Sequence, residues 1–278
     1  MFRTAGGGLC AWLLGVGLSA PTLASVESGD SGEDAGRLVS FPGPAGSTLS
    51  GYLYVPEGAS GFPAVLWNHG SEPHPGSQPM LARFYVSHGF VFFVPHRHGQ
   101  GRSPGSYIMD EIRLSRGADV VAPQERASLD VQAALAWLRE RPEVDPQRIV
   151  VSGCSFGGIQ TILAAERLRD VSAFVAFAPA AMSWSDSQLR ERLEQALRKS
   201  TAPVLIVQAH NDYSLGPSTV LGPIAAARGG RSHIYPNFGS SPEEGHWVFA
   251  TSQAGIDVWG SDVLAFIAAA QAQTLTGH

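Results

Sequence analysis

A serine between two glycines is the feature of this sequence that most directly indicates chemistry. Gly153, Ser155 and Gly157 form a G-x-S-x-G pattern, with an apolar run before it at residues 149–151 and a helix-like stretch after it at residues 159–167. In a sharp strand-to-helix turn the central residue adopts a strained backbone, and only small residues fit two positions away on either side. The serine hydroxyl then projects above the end of the strand, at the positive end of the helix. The pattern therefore predicts that Ser155 is a nucleophile.

Strand-like and helix-like stretches alternate on both sides of this turn. Two initial strands are predicted at residues 38–41 and 49–55, and the later apolar runs are continuous rather than alternating. Those runs lie at residues 64–67, 90–94, 149–151, 173–177 and 204–207, with helical patterns between or after them, including residues 127–138 and 259–270. Continuous runs of this length are typical of strands covered on both faces. We therefore predict an α/β fold with a mostly parallel central sheet flanked by helices on both faces.

The turn and its setting resemble the α/β-hydrolase superfamily, and within it the dienelactone-hydrolase-like and prolyl-oligopeptidase-like branch. The resemblance covers about residues 37–270, and Asp145-Pro146-Gln147-Arg148-Ile149 leads into the turn as it does in that branch. It implies an α/β-hydrolase fold with a small lid or none, and a serine hydrolase that cleaves carboxylic esters through an acyl-enzyme. Dienelactone hydrolases proper carry cysteine at the nucleophile position. Because this chain carries Ser155 there, we expect ordinary esters of small to medium size, and Cys154 is expected to be a buried packing residue.

The resemblance also implies an acid and a base that follow the serine in the order Ser, Asp, His. Asp212 comes after the apolar run at residues 204–207, where a carboxylate can hold a histidine in the required tautomer. His246 lies in a predicted loop before the last helix and would accept the serine proton, because a hydroxyl is a poor nucleophile near neutral pH. The competing residues are Asp186 and Asp257 for the acid, and His210 and His233 for the base.

The backbone N–H groups of Ser71 and Phe156 are the candidates for an oxyanion hole. Residues 65–71 read as a strand that ends in His-Gly-Ser and resembles the family's donor loop, although the donor there could lie one place from Ser71. Two stretches, residues 103–113 and 182–190, are expected to form the substrate pocket. The candidate pocket residues are Tyr107, Met109 and Trp184, the last of which could equally belong to the core.

Neither a metal nor a cofactor is predicted, and the expected partner is a small-molecule ester. The spacings of His69, His74, His96 and His98 match no zinc pattern. The net charge of −5 without a basic block disfavours nucleic acid. Two other functions remain open. One is an oligopeptidase of the same fold, although too few residues are expected before the first strand for a gating propeller. The other is a non-catalytic binding protein. The sequence makes no prediction of oligomeric state.

The first 24 residues predict an export signal. Arg3 precedes an apolar stretch at residues 9–18, and Thr22-Leu23-Ala24 offers a small-residue cleavage site. The apolar stretch is shorter than the ~20 residues that a spanning helix needs, so no membrane association beyond the signal is expected. Residues 25–36 are polar and predict a flexible linker, and residues 37–278 predict one α/β-hydrolase domain. The mature protein is expected in the periplasm or the medium, with Cys154 as its single cysteine.

The export signal is testable by mass. When the chain is expressed with its own N-terminus in a bacterial host, the protein recovered from the periplasm or medium should begin at Ser25, because cleavage follows Ala24. Intact-mass measurement of the exported protein decides the cleavage position, and Ala24→Asp should block cleavage at this site. A full-length chain that stays in the cytoplasm would contradict the prediction.

Overall fold

The computed structural model describes residues 36–58, 60–114 and 120–276. The predicted export signal, and the predicted linker apart from Gly36, lie outside the described residues. The strands are β1 (Arg37–Pro42), β2 (Thr48–Tyr54), β3 (Phe62–Asn68), β4 (Val91–Pro95), β5 (Val144–Cys154), β6 (Ala173–Phe177), β7 (Val204–Ala209) and β8 (Arg231–Tyr235). The helices are α1 (Pro79–Ser87), α2 (Ile108–Leu114), α3 (Val121–Arg139), α4 (Phe156–Arg167), α5 (Ser187–Arg198), α6 (Gly222–Ala226), α7 (Phe249–Thr251) and α8 (Gln253–Thr276).

All eight strands form one sheet in the order β1-β2-β4-β3-β5-β6-β7-β8. The pairs β1–β2 and β2–β4 are antiparallel, and every pair from β4 to β8 is parallel. The mostly parallel sheet predicted from the continuous apolar runs is therefore confirmed. Because β3, β5, β6, β7 and β8 run in the same direction, the loops that follow them meet along one edge of the sheet.

The core forms two layers, one on each face of the sheet. Successive residues of β3 point to opposite faces, so Leu66 packs in one layer and Trp67 in the other. The first layer holds the sheet against α3, α4 and α5, with Leu135, Ile162 and Leu193 as examples. The second layer holds it against α1 and α8. Helices on both faces are thus confirmed, and no helix among the described residues has the length and apolarity to cross a bilayer.

An ion-pair network joins the three helices of the first layer. Arg192 on α5 donates to Glu125 on α3 at 2.6 Å and to Glu166 on α4 at 2.5 Å. Arg167 on α4 also pairs with Glu125, and Lys199 pairs with Glu166 at 3.1 Å. Arg192 has only 16% of its side chain exposed, so these contacts are less screened by solvent than ordinary surface pairs. The network fixes the start of α3 against α4 and α5.

The structure has three helical features that the sequence analysis did not predict. The expected pocket stretch at residues 182–190 enters α5 at Ser187, where Asp186 caps the helix by accepting from the Leu189 N–H at 2.9 Å. The other expected pocket stretch, residues 103–113, enters α2 at Ile108. The predicted loop around His246 is a single π-helical turn, Glu244–Val248. A turn of five residues is too short for the 3.6-residue apolar period to identify it.

Candidate active site

Ser155 occupies the turn between β5 and α4 with a strained backbone. Its φ of 58° and ψ of −117° lie outside the regions that non-glycine residues ordinarily adopt. Two backbone hydrogen bonds hold the residue there, since the Ser155 N–H donates to the Phe177 carbonyl at 3.0 Å and its carbonyl accepts from the Ile159 N–H at 3.0 Å. Such strain persists only where the surroundings impose it, and it is concentrated at functional sites.

The glycines on either side of Ser155 allow a close approach to the end of β3. A Cβ atom on Gly157 would lie 1.9 Å from the Asn68 carbonyl oxygen, and one on Gly153 would lie 2.6 Å from the same oxygen. Both contacts are with backbone, which cannot move aside as a flexible side chain can. The turn therefore packs directly against Asn68, the last residue of β3, and the loop that begins at His69 starts next to the turn that holds Ser155.

Asp212 and His246 form a buried hydrogen-bonded pair. The Nδ1 of His246 lies 2.8 Å from the Oδ1 of Asp212, with 5% and 0% of the two side chains exposed. The Tyr213 N–H donates to Oδ1 at 2.7 Å, and the Gln208 Nε2 donates to Oδ2 at 2.6 Å. Both carboxylate oxygens therefore have donors, which lowers the cost of burying the charge. The structure thus brings together the acid and the base expected from the sequence.

The His246 Nε2 atom is the nitrogen left for proton transfer. With Nδ1 directed at the Asp212 carboxylate, the imidazole carries its proton on Nδ1 and can accept one on Nε2. Nε2 is buried and makes no hydrogen bond with any described residue, the Ser155 hydroxyl included. The Cys154 Sγ lies 3.8 Å from the His246 carbonyl, which places the histidine turn against the residue next to Ser155. Ser155 and the Asp212–His246 pair therefore lie at the same edge of the sheet.

Arg97 fixes the loop that carries the predicted oxyanion donor. Its Nη2 donates to the His69 carbonyl at 2.8 Å and also to the Gly70 carbonyl, and it lies 2.8 Å from the His69 Nδ1. The Tyr107 hydroxyl donates to the next carbonyl, that of Ser71. The Ser71 N–H has no acceptor within the described part of the chain. Phe156 is the first residue of α4, so its N–H has no intrahelical acceptor either.

Burial controls the charges beneath this loop. Burial lowers the pKa of Arg97 to about 10, while the nearby Glu72 and Asp130 carboxylates oppose that shift, so the guanidinium stays positive at neutral pH. Burial and then the Arg97 charge lower the pKa of His69 well below its usual value, which keeps His69 neutral. The guanidinium also stacks on the Phe156 ring, 4.9 Å from its centroid. Arg97 thus connects both candidate oxyanion positions.

A cavity of about 310 Å³ opens beside Ser155. Its lining residues are Ser71, Met109, Ile112, Val120, Gln124, Ser155, Phe156, Ile159, Ala180, Met182, Ser183, Asp186 and Leu189. Met109 therefore lies where the sequence predicted it.

Trp184 does not line this cavity but is buried in the first core layer, where a Cβ on Gly216 would lie 1.8 Å from its Nε1. Tyr107 anchors the Ser71 carbonyl and is also not part of the lining. A larger cavity, about 670 Å³, lies between β2 and α1 and contains none of the predicted site residues.

The structure adds two polar residues to this site that the sequence did not indicate. Gln208, at the end of β7, donates to Asp212 and to the Ser214 carbonyl, and its Oε1 accepts from the Ser218 N–H. Asn211 donates to the carbonyls of Phe238 and Ser241. These contacts join the acid turn to the segments around it, and a Cβ on Gly245 would lie 2.5 Å from the Asn211 Oδ1. The only available sequence signal was the polar run that follows β7.

The alternative acid and base residues have other partners. Asp186 caps α5, and Asp257 accepts from Gln253 on the same helix at 2.7 Å. The His210 Nδ1 lies 3.2 Å from the Asn237 Oδ1, and the His233 ring stacks on Tyr235. Cys154 is fully buried, and burial raises the pKa of its thiol well above the usual value. Among the described residues, no group of three or more His, Cys, Asp or Glu side chains could hold a metal ion.

Comparison with known proteins connects this geometry with hydrolases. Residues 49–223 match the model of the dienelactone hydrolase family. A segment of 147 residues is 31% identical to the polyketide transferase grgF of a Penicillium species, and the match spans 52% of this chain and about half, 46%, of that protein. A dienelactone hydrolase from Klebsiella pneumoniae superimposes with a TM-score of 0.62 at 17% identity over 84% of this chain and 99% of that one. Est1E of Butyrivibrio proteoclasticus, solved with ferulic acid, superimposes with a TM-score of 0.61 at 18% identity over 81% of this chain and 100% of that one. These two likenesses establish the fold.

The Gln208–Asp212 hydrogen bond should matter for activity. Gln208→Met keeps the side-chain volume but removes the donor to the buried carboxylate, and a hydrogen bond to a charged group is worth ~1.5–3 kcal/mol. We expect kcat for an activated ester to fall roughly 10- to 100-fold with little change in KM. Gln195→Met, at an exposed position on α5, is the matched control. An unchanged kcat in a Gln208→Met protein that has merely a lower Tm would show that this contact serves stability alone.

Proposed function

This chain belongs to the dienelactone hydrolase family and is an enzyme of the hydrolase type, and on that premise we propose that it cleaves carboxylic esters with Ser155 as the nucleophile. The observation that carries the proposal is the buried Asp212–His246 hydrogen bond of 2.8 Å at the sheet edge where Ser155 projects. A neutral imidazole oriented by a carboxylate is the group that a serine hydroxyl needs as its base.

The reaction proceeds in two halves. The Ser155 Oγ attacks the ester carbonyl carbon while the His246 Nε2 takes the hydroxyl proton, and the tetrahedral intermediate forms. The C–O bond to the alcohol then breaks, and His246 returns the proton to the departing oxygen, which leaves an acyl group on Ser155. Water attacks the acyl-enzyme in the same way, with His246 as base, and releases the acid and the free serine.

Charge develops at two places in these steps, and the site provides for both. The imidazolium that forms on His246 is stabilised by Asp212, whose two oxygens already have hydrogen-bond donors. The oxyanion lies between the N–H groups of Ser71 and Phe156, at the positive end of α4. The Arg97 and Tyr107 contacts hold the Ser71 loop in place, so these donors need little reorganisation when the negative charge appears.

The cavity beside Ser155 favours an uncharged acyl group. Its side chains are mostly apolar, including Met109, Met182 and Leu189, and no basic side chain is among its described lining residues. Asp186, the one carboxylate among those described lining residues, would repel an anionic substituent. We therefore propose small to medium esters of neutral acids as substrates.

A second candidate function is acyl transfer to an alcohol or amine. It is suggested by the 31% identical match to the polyketide transferase grgF. The first half of the reaction would be unchanged, and an acceptor other than water would take the acyl group from Ser155. Product analysis with an added alcohol separates the two functions, because a transferase yields the new ester in preference to the acid.

The export predicted from the first 24 residues remains part of the proposal: the enzyme acts outside the cytoplasm.

Substitutions in the proposed triad should have graded effects on ester turnover. Ser155→Ala should lower kcat by roughly a million-fold, because the nucleophile is removed. Asp212→Asn should lower it by about 10⁴-fold, because the imidazole loses its tautomer and its counter-charge. The measurement is kcat for a p-nitrophenyl ester, corrected for spontaneous hydrolysis. Ser87→Ala and Asp257→Asn, at exposed positions away from the site, are the matched controls. Substantial turnover by Ser155→Ala would eliminate the mechanism.

A further inference from the structure

Two glutamines form a hydrogen-bonded pair at the wall of the cavity beside Ser155. Gln124 lies on α3 and lines the cavity, and Gln160 lies on α4, the helix that begins at the nucleophile. Gln160 has no exposed surface and Gln124 has 5%. The Gln160 Nε2 donates to the Gln124 backbone carbonyl at 3.2 Å and to the Gln124 Oε1 at 3.0 Å. We call Gln124 and Gln160 the glutamine pair.

The backbone contact determines which way both amides point. A backbone carbonyl can only accept, so the Gln160 atom that contacts the Gln124 carbonyl must be the NH₂ group. The same NH₂ group contacts the Gln124 side chain, so the Gln124 atom facing it must be the oxygen. The Gln124 NH₂ group is therefore directed away from Gln160. Nε2 of Gln124 has no acceptor among the residues that the structure describes.

The position of this free donor is fixed by its surroundings. Glu125, the next residue of α3, is held by Arg167 and Arg192, so the start of α3 cannot easily shift relative to α4 and α5. The pair also leaves the Gln160 Oε1 buried with no hydrogen-bond donor from the described part of the chain, which costs free energy. A buried amide pair in a mostly apolar wall is therefore expensive. That cost is explained if the pair serves to present the Gln124 donor to a ligand.

We propose that Gln124 is a specificity-determining residue that donates a hydrogen bond to an oxygen on the acyl group of the substrate, with Gln160 as its positioning residue. The substrate class that follows is esters of neutral oxygenated acids, with a keto, ether or hydroxyl oxygen along an otherwise apolar chain. This inference rests on the proposed function, because it assigns the cavity beside Ser155 to the acyl group.

The lining explains why the oxygen belongs to a neutral group. A carboxylate at the same place would be buried opposite a single neutral amide, near the Asp186 carboxylate and without a basic side chain among the described lining residues. A ketone or ether oxygen accepts the Gln124 hydrogen bond without a charge to be compensated. A hydrocarbon chain leaves the Gln124 donor unpaired, which is the less favourable state once water has been expelled.

The test compares matched ester pairs. p-Nitrophenyl esters of straight-chain acids are measured beside esters of keto acids of the same length, with the ketone moved along the chain one carbon at a time. For the native enzyme, kcat/KM should be about three- to ten-fold higher for the keto ester at one or two ketone positions, the value of one neutral hydrogen bond. The ketone also changes the intrinsic reactivity of the ester carbonyl by induction. To correct for this, each ratio of kcat/KM values is divided by the ratio of the alkaline hydrolysis rates of the same two esters.

Three variants identify the residue responsible. Gln124→Met should bring the corrected keto preference close to one, because the hydrogen-bond donor is lost. Gln160→Met should reduce the preference, because Gln124 loses the partner that orients it, and a merely structural effect would lower both esters alike. Gln132→Met, two turns further along α3 and outside the cavity lining, should leave the preference unchanged.

The outcomes separate this inference from the proposed function. Turnover of straight-chain esters that depends on Ser155 supports the proposed function, whether or not the keto esters are preferred. If such turnover occurs and no keto ester is preferred, or if Gln124→Met keeps the native preference, the role assigned to Gln124 is wrong. If neither ester is turned over, the function itself fails, and the role of Gln124 fails with it.

Discussion

The close packing of the β5–α4 turn against the end of β3 is the constraint on which the site depends. Only glycine at positions 153 and 157 lets the turn approach the Asn68 carbonyl, since an added Cβ would come within 2.6 Å and 1.9 Å of it. That approach forces Ser155 into its strained conformation and places the Ser71 loop beside it. The conformation of Ser155 and the place of the candidate oxyanion donors therefore follow from one backbone contact, between the β5–α4 turn and the end of β3.

Buried polar contacts hold the remaining groups around this turn. The Arg97 guanidinium binds the carbonyls of the donor loop and stacks on Phe156, and Asp212 binds His246. Each buried charge has several hydrogen-bond partners, as a low-dielectric interior requires. The apolar cavity extends from Ser155 on the α3, α4 and α5 side of the sheet, and the ion pairs of Arg192 keep those three helices together. The same helices form the cavity wall in which Gln124 lies.

The sequence was informative where a local pattern determines the structure. Most of the strands were predicted to within a few residues because continuous apolar runs indicate a sheet covered on both faces. G-x-S-x-G identified the turn because its geometry requires small residues at those places. Asp212 and His246 were found through the order of the resembling family and the parallel sheet that brings their loops together. Gln208, Asn211 and the role of Arg97 depend on contacts with residues distant in sequence, which no local pattern encodes. The sequence left Trp184 open between the pocket and the core, because its burial is decided by the packing of α5 and its neighbours.

A fluorophosphonate probe tests whether Ser155 is an activated nucleophile, because the probe forms a stable adduct only with a serine hydroxyl activated by a neighbouring base. We expect one adduct per native chain, located by peptide mass spectrometry on Ser155, with slow labelling in the Asp212→Asn and His246→Ala proteins and none after heat denaturation. An adduct on a different residue, or a native, folded chain that takes up no probe, would contradict the proposed mechanism.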